Sequence, residues 1–124
     1  MVPRAPAAVN HPLHHGIDLF NRSAFFECHE ALEEIWTPEH GPRRLFLQSI
    51  IHIAVAFYHV QRGNYLGAER QLKKGLKKMA GYLPECEGID TAELYRAAAE
   101  ALERVRRGEE IGEFPKIRSR HGRS

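Results

Sequence analysis

The run Ser23-Ala24-Phe25-Phe26-Glu27-Cys28-His29-Glu30-Ala31-Leu32-Glu33-Glu34-Ile35-Trp36 gathers aromatic, acidic and imidazole groups into one short stretch. Wound as a helix at about 100° per residue, it places Phe25, Cys28, His29, Leu32, Ile35 and Trp36 on a single apolar stripe. His29 therefore faces inward. Glu33 follows one turn later, roughly 40° round from His29, so its carboxylate falls beside the imidazole at the border of the stripe. Glu27, Glu30 and Glu34 turn toward water. Ser23 is the expected N-cap. Thr37-Pro38 ends the helix, because a residue preceding proline is pushed out of the helical region.

Immediately downstream, Gly41-Pro42 opens a second run of another kind. From Leu45 to Gln61 there is no Lys, Arg, Asp or Glu, and apolar residues lie all round the wheel, the pattern of a helix enclosed by others. A membrane span is the competing reading. The run is short for about 30 Å of hydrocarbon and is broken by Gln48, Ser49, His52 and His59, so no membrane partner is expected. Gln48, His52 and His59 share one stripe of this helix.

Gly63 then ends the central helix as a left-handed residue and Asn64 caps the next. Tyr65, Ala68, Leu72, Gly75, Leu76, Met79 and Leu83 form its inward face, with Lys73, Lys74, Lys77 and Lys78 outside it. Asp90-Thr91-Ala92-Glu93 reads as a capping box for a last helix that closes at Gly108. Upstream, His11-Pro12 opens a short helix carrying Leu13, Gly16, Ile17 and Phe20. No run alternates like a strand, so the expected class is all-α: about five helices as two hairpins plus a C-terminal helix, with the apolar helix central. The expected division is a disordered leader over 1–10, one helical domain over 11–110, and a basic disordered tail over 111–124. A weak internal repeat accompanies this, since Asn21–Leu32 can be laid on Gln61–Leu72 at an offset of forty, matching Phe25 to Tyr65, Cys28 to Ala68 and Leu32 to Leu72.

With 124 residues the chain has room for one self-sufficient core. The net charge of +2 is too small to argue for nucleic acid without clustering. Two cysteines, Cys28 and Cys86, suit a reducing cytoplasmic compartment, with Cys28 a small buried hydrophobe. The N-terminus lacks the apolar segment of a secretory signal.

The candidate site is the polar set that these helices carry: His29, Glu33 and Trp36 on or beside the inward stripe of one, with its neighbour Glu30 on the water side, and Gln48, His52 and His59 from the other. Buried imidazoles and carboxylates require hydrogen-bonded partners, so the plainest reading is a network that satisfies itself and fixes helix register, or one that receives a small ligand or protein. No cofactor is expected. A divalent metal is left open, because imidazole plus carboxylate suits zinc, iron or manganese, although neither H-E-x-x-H nor paired Glu-x-x-His is present. His29 with Glu33 would serve acid/base or hydrolase-like chemistry, but no nucleophile elbow or phosphate loop accompanies them, so an enzyme is not the favoured reading. The lysine face and tail could contact nucleic acid, a partner not expected without interleaved aromatics. A homo-oligomer is left open.

Three blocks carry a family resemblance: Leu19-Phe20-Asn21 with Phe25 to Trp36, Phe46 to Ala54 with Tyr58-His59, and Gly63-Asn64-Tyr65-Leu66-Gly67-Ala68. In that order they resemble the prokaryotic family catalogued as domain of unknown function 309, over about Leu13 to Leu83. The resemblance aligns His29, Glu30, Glu33, Trp36, Gln48, His59, Gly63, Asn64, Gly67 and Ala68 with the family pattern. Ser49 departs from it where Gly is usual, and His52 where Gln is usual. It implies a compact all-helical fold and carries no activity.

Overall fold

The computed structural model describes residues 5–119. Its elements in order are α1 (Ala5–Asn21), α2 (Phe25–Trp36), α3 (Arg43–Gln61), α4 (Tyr65–Met79), a 3₁₀ turn (Ala80–Tyr82), strands β1 (Glu85–Cys86) and β2 (Ile89–Asp90), and α5 (Thr91–Arg106). The five helices and their order match the sequence reading. Residues 5–10, expected as leader, form the first turns of α1, which carries Pro12 inside it; residues 1–4 lie outside the described residues. The short antiparallel β1–β2 ladder pairs Glu85 with Asp90 and Cys86 with Ile89. Its turn residues Glu87 and Gly88 both have positive φ, the two-residue hairpin geometry that matches strand twist. Strands of two residues are too short to leave an alternating pattern.

The core is built on α3, whose Phe46, Leu47, Ile50, Ile53, Ala54, Ala56 and Phe57 are all fully buried. α2 and α4 pack on either side of it, α1 packs on α2, and α5 packs on α4. Phe20 of α1 and Phe25 of α2 meet Phe57 of α3, with ring centroids 6.1 and 5.4 Å away. Edge and tilted aromatic pairs of this kind contribute about 0.5–1.5 kcal/mol each beyond the area they bury. No helix among the described residues is long and apolar enough to cross a membrane.

The internal repeat is a shared joint. At the end of α1, the Ser23 N–H donates to Phe20 O and the Ala24 N–H to Leu19 O. At the end of α3, the Gly63 N–H donates to Val60 O and the Asn64 N–H to His59 O, forty residues later throughout. Both are paired carbonyl closures around one left-handed residue. Ser23 is that residue in the first joint, with φ 62°, so it does not cap α2; the N-cap position is Ala24, which has no capping side chain. In the second joint Gly63 has φ 79° and Asn64 Oδ1 accepts from the Gly67 N–H at 2.9 Å, as expected. Asp90 likewise accepts from the Glu93 N–H at 2.9 Å to start α5. A side chain in the left-handed region costs about 1–2 kcal/mol, partly offset by the greater unfolded freedom of glycine. Ser23→Gly is therefore expected to stabilise the fold by about 0.5 kcal/mol and Gly63→Ala to destabilise it by about 1 kcal/mol, read as opposite shifts of the urea midpoint. Shifts of the same sign would mean that the two joints are not equivalent.

The segment after α5, expected to lack structure, is seated on the body through residue 119. Phe114 stacks against Phe25 and Phe57 at 5.0 and 5.2 Å, and Ile117 is 4% exposed. Asn21 brackets the strap, with Nδ2 donating to Ile117 O at 3.0 Å and Oδ1 accepting from the Ile117 N–H at 2.7 Å. Ser119 forms a bridge with Ile89. Two well-placed apolar residues anchor a segment that shows no period. Residues 120–124 of the expected tail lie outside the described residues.

Candidate functional site

Three helices place the polar groups. α2 buries Phe25, Cys28 and Leu32 on α3, which leaves His29, Glu33 and Trp36 along the edge of that contact. α3 contributes Gln48 and His52 from its half-buried flank, and α4 contributes Gln71, one residue before buried Leu72. Together with Ile51 and Val55 these residues line a cleft of about 260 Å³.

His29 Nε2 lies 3.3 Å from Glu33 Oε2, and their side chains are 28% and 48% exposed, so the pair stands at the rim of the cleft rather than inside it. Deeper, His52 Nδ1 is 2.7 Å from Gln71 Oε1. An amide oxygen only accepts, so Nδ1 carries the proton and Nε2 of the neutral ring is left as an acceptor. Burial holds the His52 imidazole below its ordinary pKa of 6.5; the Gln71 bond opposes this, and the ammonium groups of Lys78 and Lys74 reinforce it. His52 Nε2 and the indole nitrogen of Trp36 are both buried and have no hydrogen-bond partner among the described residues. The Trp36 ring is held from outside by Arg44, whose guanidinium carbon sits 4.0 Å from the ring centroid. Arg44 also donates to Trp36 O and Glu39 O at 3.1 and 2.9 Å, so its orientation is fixed.

Five of the seven candidates thus meet: His29, Glu33, Trp36, Gln48 and His52. Glu30 is exposed and does not line the cleft. His59 is also elsewhere, at the α3–α4 joint, where Asn64 Nδ2 donates to its Nδ1 at 3.4 Å. His52 and His59 share a stripe, but seven residues separate them by about 10 Å along the axis, which places them at different levels of the bundle. Gln71 was missed, although its position on the inward border of α4 beside Leu72 was a readable signal. Arg44 was missed because its partner ring belongs to a different helix.

These groups are hydrogen-bond donors and acceptors, with one ion pair at the rim. Among the described residues, no three His, Cys, Asp or Glu side chains are grouped to hold a metal ion. Of the nucleophile types nearby, Ser49 donates to Phe46 O at 2.7 Å, and burial pushes the Cys28 thiol up to about 12. Neither is poised to attack. The basic tail is likewise engaged, since Arg118 lies 3.3 Å from Glu93 and Lys116 donates to Asn21 O at 3.4 Å. A further depression of about 500 Å³ between α5 and the strap is lined by Glu100, Arg104, Glu110 and Glu113 among small residues, with no imidazole or buried unpaired group.

Residues 13–71 match the model of the family described as a domain of unknown function, DUF309. The chain is also similar to a protein of Bacillus subtilis (strain 168) named uncharacterized protein YpuF, with 39% identity over 54 residues. That match covers 43% of this chain and 31% of the relative. The family resemblance read from the sequence is therefore found again. The matched segment contains every residue that lines the cleft, ending on Gln71. Neither comparison indicates a specific function.

Proposed function

Proceeding from that family match, we propose that this domain binds a small polar molecule in the cleft between α2, α3 and α4. The observation that carries the reading is a pair of buried, unpartnered nitrogens on two residues that line the cleft, the Trp36 N–H donor of α2 and the His52 Nε2 acceptor of α3. Each such group buried alone costs about 1–3 kcal/mol, which a ligand offering one acceptor and one donor recovers. Amides, imides and carboxylic acids have that complement. The cleft volume of about 260 Å³ lies below the roughly 300 Å³ at which pockets for drug-sized ligands begin, so the bound part is small. Gln48 supplies an adaptable amide, and the His29–Glu33 pair offers charge at the mouth. The two cysteines, both free, are consistent with the same proposal in a reducing cytoplasm.

Trp36 is the single tryptophan, so its indole N–H gives one resonance that reports directly on the cleft. Uracil, which presents a donor between two acceptors, is expected to shift that resonance. His52→Phe keeps the ring volume and removes the acceptor, and should weaken binding about tenfold, the value of one hydrogen bond of about 1.4 kcal/mol. Acidification adds a proton at Nε2 once pH falls below the depressed pKa of His52, so binding of neutral uracil should weaken there and recover at neutral pH. An indole resonance unmoved by uracil, 2-pyrrolidinone or acetic acid at millimolar concentration would eliminate the proposal.

A further inference from the structure

Beside the cleft lies a broader groove of about 870 Å³, lined by Leu45, Gln48 and His52 of α3, by Lys74, Lys77 and Lys78 of α4, and by Gly81 and Tyr82 of the 3₁₀ turn. Gln48 and His52 line both spaces, so the two adjoin across these side chains. The groove wall contains no carboxylate. No ion pair reaches Lys74, Lys77 or Lys78 among the described residues, whereas neighbouring cations are taken up. Arg43 lies 2.7 Å from Glu87, Arg44 is bonded to two carbonyls, and Arg106 pairs with Glu69 and Glu103.

Spacings of three and four residues put the three ammonium groups on one side of α4, where they repel one another. Lys78 is half-buried, so its stem is held against the groove wall. Opposite them, Leu45 is 49% exposed, and the Tyr82 ring is pinned by its hydroxyl, which donates to Pro42 O at 2.7 Å. The lysine side is therefore cationic and unneutralised, and the remainder is uncharged, with Leu45 and Tyr82 supplying apolar surface beside Gln48 and His52. Such a groove accepts a multiply charged anion on an organic body, and lysine is a point-charge partner for phosphate.

We infer that the groove receives the phosphate of a small phosphorylated organic molecule whose uncharged polar head occupies the adjoining cleft. The inference rests on the cleft reading for the head and on the lysines alone for the phosphate. His52 stands at the boundary, and its neutral ring lets a head group bind without adding positive charge between cleft and groove.

Three probes separate the parts: uracil for the head, uridine 5′-monophosphate for head plus phosphate, and inorganic pyrophosphate for charge alone. Each is titrated by calorimetry and by the Trp36 indole resonance at low ionic strength. Uridine 5′-monophosphate is expected to bind about tenfold tighter than uracil, with added salt erasing the difference. The triple variant Lys74→Ala, Lys77→Ala, Lys78→Ala should lose that gain and all pyrophosphate binding, while Lys73→Ala, outside the groove, should keep both. Alanine favours helix at these positions, so the triple variant retains α4. Equal affinities for uracil and its monophosphate would overturn the phosphate assignment and leave the cleft reading standing. Lysine-dependent pyrophosphate binding, with an indole resonance unmoved by uracil or its monophosphate, would instead uphold the phosphate site and remove the head-group cleft. Single-stranded polyuridylate binding far more tightly per site than the monophosphate, through the same lysines, would replace the small molecule with nucleic acid.

Discussion

Replacing Phe114 and Ile117 together by alanine is expected to lower the unfolding free energy by about 3 kcal/mol, or the melting temperature by about 10 °C. Phe114 closes an aromatic cluster, 5.0 Å from Phe25 and 5.2 Å from Phe57, and those two rings are 1% and 0% exposed. Ile117 is 4% exposed and held on both sides by Asn21. Removing a half-buried aromatic and a buried aliphatic side chain would by itself cost more than this sum. The loss is limited because a released strap regains about 1–2 kcal/mol of backbone freedom per residue, so it cannot exceed the net free energy of docking. Urea denaturation measures the effect, and amide exchange at residues 113–119 shows whether the strap has detached. A loss within about 0.5 kcal/mol, the size typical of surface substitutions, would mean that the tail contributes nothing to the fold.

Gly75→Leu is expected to cost about 3 kcal/mol and to open the candidate site at the same time. A Cβ at Gly75 would stand 2.9 Å from Ile53 Cγ1, 3.1 Å from Ser49 O and 3.2 Å from His52 Cβ, so α4 touches α3 there through backbone. The full leucine side chain has to push the helices apart. Gln71, one turn earlier on α4, is then drawn away from His52 Nδ1, now 2.7 Å distant. Alanine already has to displace the buried Ile53 Cγ1 and the Ser49 carbonyl, so despite about 1 kcal/mol gained in helix propensity Gly75→Ala should cost about 1 kcal/mol, well short of leucine. The His52 titration followed by NMR distinguishes the two. With the ring hydrated its pKa should rise toward 6.5 in the leucine variant and stay depressed in the alanine variant. The sign follows for stability. A depressed pKa contributes stability that is present above 6.5 and is lost as pH falls through the folded value, so the leucine variant should be less sensitive over that interval. An unchanged titration in Gly75→Leu would show that His52 owes its low pKa to something other than α4 packing.

The helices, their order, the caps at Asn64 and Asp90 and the enclosed character of Leu45–Gln61 are written in local terms, because periodicity and capping chemistry act within a few residues. The joint at Ser23 is a harder case. Serine ahead of an apolar helix is a capping signal, yet here it closes the preceding helix, and only the likeness to Gly63 forty residues later pointed that way. The strap was invisible for a related reason, since two apolar residues among cations make no period and gain their value from a distant aromatic cluster.

From the sequence alone come the all-helical class, the apolar central helix and the His29–Glu33 adjacency, each a matter of spacing along one helix. Tertiary structure alone decided that His52 rather than His59 meets that pair, that Gln71 joins them, and that three lysines face a groove. A helical stripe fixes the direction in which a residue points, but its level is set by how neighbouring helices cross.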